Sequence, residues 1–123
     1  MSTDLADRKC VPCRGGVPPL TRQEMEPLLA RVSEWQAEAD KKLVKEFRFK
    51  NFAEALDFVN RIGAVAEEEG HHPDLYLAWG LVRVYIWTHK IDGLTESDFI
   101  LAAKIDRLGR SAETRKPASP QGA

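Results

Sequence analysis

The ten residues G-L-V-R-V-Y-I-W-T-H, positions 80–89, leave the chain little choice of local structure. Val82, Val84 and Ile86 alternate with Arg83, Tyr85 and Trp87, so an extended backbone puts the aliphatic side chains on one face and the larger ones on the other. Wound into a helix, the same residues would spread both sets around the axis. β-branched and aromatic side chains also fit a pleated surface well. His89 falls on the Trp87 face. A half-buried strand needs partner strands and a cover for its aliphatic face, so the remainder of the chain is read for both.

Leu43 to Phe49 gives a second strand, with apolar residues at 43, 47 and 49, Lys45 interrupting, and Val44, Glu46, Arg48 and Lys50 on the other face. The apolar segment Leu75 to Trp79 is a further candidate for pairing. Three helices supply the cover. Thr21 followed by Glu24 makes a capping box for a helix over about residues 22–33, with Met25, Leu28, Leu29 and Val32 on one side. Asn51 caps a second helix whose stripe is Phe52, Ala55, Leu56, Val59, Ile62, Gly63 and Ala66, ended by Gly70. After the turn D-G-L-T, Thr95 with Asp98 forms an acidic variant of a capping box for a last helix carrying Phe99, Ile100, Ala103, Ile105 and Leu108. The expected fold is α+β, a small antiparallel sheet with helices packed on one face. The opposite face, with Arg83, Tyr85 and Trp87, is too apolar for free solvent, which implies a homo-oligomer.

The 123 residues suffice for one domain, read as 21–108 between a flexible Gly/Pro-rich arm (1–20) and a disordered C-terminal tail (109–123). The arm carries Cys10 and Cys13 in C-V-P-C-R-G-G. That spacing is half of a zinc knuckle or a thioredoxin-like pair, but no second Cys/His pair lies nearby, and Gly and Pro follow where a redox motif needs a helix. Eighteen basic against nineteen acidic residues give a net charge of -1, which argues against a general nucleic-acid binder. No stretch reaches the roughly 18 to 20 apolar residues of a membrane span, and the first residues lack a signal-peptide core, so a cytoplasmic protein is expected.

The chemistry-bearing stretch is E-E-E-G-H-H-P-D, residues 67–74, since His71, His72 and His89 are the only histidines. Adjacent imidazoles suit a metal poorly, and H-E-x-x-H is absent. Imidazoles near a helix end and a strand end suit proton transfer, because histidine exchanges protons near neutrality. A plain polar loop explains the residues equally well. Glu67, Glu68 and Glu69 oppose the macrodipole at the helix C-terminus. Glu68 and Glu69 are read as solvated surface charge, and Glu67 as the carboxylate that supports a histidine.

The full spacing is Glu67, three residues, His71-His72-Pro73, five residues, Trp79, nine residues, His89, eight residues, Asp98. It resembles the pterin-4a-carbinolamine dehydratases, a likeness extended by F-R-F-K-N-F (47–52) and G-L-T-E-S-D-F-I-L-A-A-K-I-D (93–106), over about residues 21–108. The resemblance implies a lyase without cofactor or metal that removes water from 4a-hydroxytetrahydropterin, the product left by an aromatic amino acid hydroxylase. It implies His71 and His89 as the acid/base pair and His72 as an assisting substrate contact. Glu67 would orient a histidine, and Asp98 would fix the loop around His89. Gly70, Trp87, Thr88, His89 and Lys90 would offer backbone contacts to the pterin, with Trp35 covering the pocket and Pro73 and Trp79 structural. Gly70 stands where many members have Asp or Asn, which removes one polar contact. A homodimer or homotetramer is implied. The alternatives are a role in molybdopterin metabolism and a non-catalytic binding or assembly cofactor on the same fold.

Overall fold

The computed structural model describes residues 5–10, 18–32 and 34–115, with side chains as far as Gly109. Three helices, α1 (Arg22–Leu29), α2 (Phe52–Glu69) and α3 (Glu96–Arg115), accompany four strands, β1 (Gln36–Glu38), β2 (Lys42–Arg48), β3 (Asp74–Ala78) and β4 (Leu81–Ile86). The strands form one antiparallel sheet in the order β1-β2-β4-β3. The α+β class and the helical cover are those expected.

The register explains the core. Leu43 pairs with Ile86, Lys45 with Val84 and Phe47 with Val82, so the aliphatic faces of β2 and β4 coincide. Leu43, Val82, Val84 and Ile86 are fully buried, and Ala55, Phe58 and Ile62 of α2 and Phe99, Leu101 and Ile105 of α3 join them in one cluster. Lys45 does not interrupt this face. Its ammonium meets Asp106 of α3 at 2.8 Å, and Trp35 Nε1 donates to the same carboxylate oxygen at 2.9 Å.

Both early caps form as read. Thr21 and Glu24 satisfy each other's backbone N–H groups, and Asn51 Oδ1 accepts from Glu54 N. Several boundaries differ. α1 ends at Leu29 rather than near residue 33, and α3 continues beyond Leu108 to Arg115, so residues 109–115 are helical rather than tail. Strand β1 was not foreseen, because its three residues carry no apolar alternation. It is joined to β2 by a turn with left-handed backbone at Ala39 and Asp40, positions without the usual Asn-Gly signal. The buried stripe of α2 is also rotated: Phe58 is in the core, whereas Phe52 and Leu56 are exposed. Trp79, expected to be structural, is 67% exposed in the turn between β3 and β4.

Residues 5–10 are not an extended arm. Leu5–Asp7 form a short 3-10 turn with Leu5 and Ala6 buried, Lys104 Nζ donates to the Ala6 carbonyl at 2.8 Å, and Arg107 pairs with Asp7 at 3.0 Å. Cys13 lies outside the described residues. No helix among the described residues is long and apolar enough to cross a membrane.

Gly70 stops α2 in left-handed backbone, φ 66°, and its N–H closes on the Ala66 carbonyl. A side chain there would meet open space, so a substitution would be penalised through the backbone alone. Gly70→Ala is expected to lower stability by about 1 kcal/mol in urea unfolding, and Gly70→Asn by less. Equal losses for both would show that the left-handed conformation is not what costs.

Candidate active site

The site is organised around a buried carboxylate. Asp98 is in the first turn of α3 and has no exposed surface. Its Oδ2 accepts the Thr95 N–H at 2.8 Å, which is one half of the expected capping box, and the Thr88 hydroxyl at 2.9 Å. Its Oδ1 lies 2.6 Å from His71 Nε2, and the His71 side chain is only 17% exposed. One carboxylate thus ties together the helix start, the segment leading to His89 and the loop after α2.

This arrangement fixes a tautomer. An ionised carboxylate only accepts, so the proton between the two groups is assigned to His71 Nε2, and Nδ1 is left as the nitrogen that can exchange a proton. When Nδ1 gains one, the adjacent Asp98 stabilises the imidazolium. Asp98 thus bonds both Thr88, at the start of the loop that carries His89, and the imidazole of His71.

His72 and Glu67 form the second pair, Nε2 to Oε2 at 2.7 Å, with the imidazole ring 59% exposed and the carboxylate 79%. A pair this exposed adds little to stability, so its effect is to orient the ring. Gly70 turns the chain so that both histidines leave α2 on a loop. The strand ends at Ile86, and Thr88 and Gly93 bridge to close a loop that contains the 3-10 turn His89–Ile91. His89 therefore lies on a turn rather than in the strand. Its ring stands edge-on to Trp87, centroids 4.2 Å apart, and Lys42 Nζ sits 4.4 Å from the Trp87 ring centre. Lys90 is exposed on the same turn.

Trp35 does not join this group. It is 5% exposed, packs edge-on against Phe47, and bonds to Asp106, eight positions along α3 from Asp98. The resemblance implied that Trp35 covers the pocket, but its buried N–H needs an acceptor and Asp106 supplies one. A residue missed by sequence reading is Lys42, whose ammonium lies over the Trp87 ring. Among the described residues no three His, Cys, Asp or Glu side chains gather as a metal cluster.

Residues 18–108, which contain every residue of this arrangement, match the family model for pterin 4 alpha carbinolamine dehydratase. The chain belongs to that family. It is 55% identical over 106 residues to a protein of Rubrobacter xylanophilus provisionally named a pterin-4-alpha-carbinolamine dehydratase, covering 86% of this chain and 99% of the other. A Rickettsia canadensis protein with the same provisional name is 56% identical over 105 residues, covering 85% and 96%. Among solved structures, a transcriptional coactivator/pterin dehydratase from Brucella melitensis superposes with a TM-score of 0.70 at 32% identity, covering 74% of this chain and 98% of that one. A pterin dehydratase-like protein described as a RuBisCO assembly factor in the alpha-carboxysome gives 0.52 at 25% identity, covering 62% and 87%. Membership in the dehydratase family implies a pterin substrate.

Proposed function

We propose that the protein dehydrates 4a-hydroxytetrahydropterin to quinonoid dihydropterin by histidine acid/base chemistry. The observation that carries this reading is the 2.6 Å contact between His71 and the buried Asp98. In the reaction the C4a–O bond breaks and the oxygen leaves as water after receiving a proton. N5 loses its proton, and the electron pair left on it forms the C4a–N5 double bond. No electrons leave the substrate. His71, backed by Asp98, takes the N5 proton at Nδ1; His89 donates to the departing hydroxyl; and His72, steadied by Glu67, holds the substrate. The Gly70 carbonyl and the backbone N–H groups of His89 and Lys90 offer the pterin hydrogen bonds, with the Trp87 ring beside it, whereas the Thr88 N–H and carbonyl bond within the loop to Gly93 and Ile91.

The pathway belongs to the same reading. The quinonoid product is reduced for reuse by an aromatic amino acid hydroxylase, in the cytoplasm. The protein acts as a homodimer or homotetramer, supported by the exposed Leu75 and Tyr76 on β3, an edge strand with one side unpaired in the sheet, and by the exposed Trp79 in the turn after it. Sedimentation at micromolar concentration is expected to show no stable monomer. A well-folded monomer would remove the assembly from the proposal.

A second reading is favoured by one observation, the likeness to the RuBisCO assembly factor, a protein whose role is assembly on a related fold. One assay separates the two. A hydroxylase generates the carbinolamine in place, and its ultraviolet absorbance is followed with wild type, His89→Ala and no protein in metal-free buffer. Catalysis requires faster decay with wild type and a loss of about 10²-fold or more in kcat with His89→Ala. Decay no faster than in the blank would leave the assembly reading.

A further inference from the structure

Glu69 is the last residue of α2, where a carboxylate opposes the helix dipole. Its side chain is nevertheless turned inward: it is 6% exposed, in a residue that is half-buried as a whole, and lies 3.5 Å from Lys104 Nζ. Its Oε1 accepts the Cys10 backbone N–H at 2.9 Å, and this bond holds the Glu69 carboxyl below its ordinary range against the opposing effect of burial. Lys104 also donates to Ala6, and the Cys10 thiol reaches the Ser97 carbonyl at 3.5 Å. The segment Leu5–Cys10 therefore grips α2 two positions before His71, and grips α3 at the residue before Asp98 and again at Lys104. The family match begins at residue 18, beyond this segment.

We infer that Glu69 is a positioning residue for the His71–Asp98 pair, and that the segment Leu5–Cys10 is the clasp that holds it. His71 and Asp98 come from the facing ends of two different helices, so their short hydrogen bond persists only while the end of α2 and the start of α3 keep a fixed spacing. Glu69, Lys104 and the Cys10 amide span that junction. Release of the clasp takes the Cys10 amide from Glu69 and the Ala6 carbonyl from Lys104, which leaves the 3.5 Å Lys104–Glu69 contact alone to hold the two helix ends at their spacing. A displacement of about 1 Å at a reacting group can lower a rate by about 10²-fold. The inference rests on the reading of His71 and Asp98 as the reacting pair, but its geometric content does not.

The test uses the full-length chain carrying Glu69→Ala, Glu69→Gln or Leu5→Asp, the last aimed at the buried turn that docks the clasp. Folding is checked by circular dichroism, and variants are compared below their melting temperatures. Glu69→Ala and Leu5→Asp are expected to lower kcat about tenfold with KM within twofold of wild type, and Glu69→Gln, which keeps an acceptor for the Cys10 amide, by less. A long-range ¹H–¹⁵N histidine spectrum reads the pair without substrate: His71 should be the Nε2–H tautomer in wild type and a tautomer mixture in Glu69→Ala and Leu5→Asp. Burial and Glu69 push the Cys10 thiol up to about 12, so with Cys13 replaced by serine it should alkylate slowly at pH 8, and faster by about tenfold or more in Leu5→Asp. Wild-type tautomer and kcat in both Glu69→Ala and Leu5→Asp would overturn the inference. A clasp-dependent tautomer in a protein that does not dehydrate the carbinolamine would support the inference and overturn the proposed function.

Discussion

Asp98→Asn is expected to lower kcat for carbinolamine dehydration by about 10²- to 10⁴-fold while leaving the protein folded. The reason lies in which atoms the carboxylate serves. Thr95 N–H and the Thr88 hydroxyl both donate to Oδ2, so an asparagine keeps them by placing its carbonyl oxygen there. Its amide nitrogen must then face His71 Nε2 and donate to it. The His71 proton moves to Nδ1, the atom assigned to receive the substrate proton, and the developing imidazolium loses its counter-charge. Stopped-flow absorbance measures the rate, and the histidine ¹⁵N spectrum reports the tautomer. A rate within a few-fold of wild type, with His71 protonated on Nδ1, would show that the pair is structural. Asp98→Ala combines the same loss with three donors deprived of this acceptor, the Thr88 hydroxyl buried and the other two part-buried, so its melting temperature should fall well below that of Asp98→Asn.

Asp106→Ala is expected to be among the most destabilising single substitutions, by about 3 to 5 kcal/mol, with activity per folded molecule unchanged. Asp106 and Lys45 have side chains only 5% and 11% exposed, and Trp35 donates to the same carboxylate. Truncation leaves a buried ammonium and a buried indole N–H without this acceptor. In a chain of this length such a loss lowers the melting temperature by about 10 °C or more. Asp106→Asn should cost less, because it still accepts from Trp35. The double variant Lys45→Met with Asp106→Leu should recover most of the loss, since replacing both ions removes the desolvation penalty along with the attraction. Asp106 is about 12 Å along α3 from Asp98 at the helical rise, so dehydration should be unaffected at 25 °C. An Asp106→Ala protein that melts within 2 °C of wild type would mean that the pair contributes nothing to the fold.

These two aspartates mark different limits of sequence reading. Asp98 was legible because it belongs to two local patterns at once, the cap with Thr95 and the spacing from Glu67 through His71 and His89. Asp106 belonged to neither, and its partner Lys45 looked like a break in a strand. The two-residue period did carry the signal: Lys45 lies between Leu43 and Phe47 on the face that became the core. Glu69 is similar. It lies three positions after Ala66 and seven after Ile62, on the buried stripe of α2, yet its charge led to a surface assignment.

Alternation of Val82, Val84 and Ile86, the caps at Thr21 and Asn51 and the glycine stop at Gly70 act over a few residues. They therefore specified the strands, the helix starts and the α+β class before any contact was known. The histidine spacing likewise pointed to the family and to Glu67 as a carboxylate serving a histidine, while the choice of His72 as its partner came from the structure. Long-range pairing was a different matter. β1 exists only because β2 offers an edge, Trp35 is in the core because Asp106 waits for its N–H, and residues 5–10 dock because α3 presents Lys104 and Arg107 to them. Burial of a charge is favourable only when a partner arrives from a distant part of the chain, and no local pattern records that arrival.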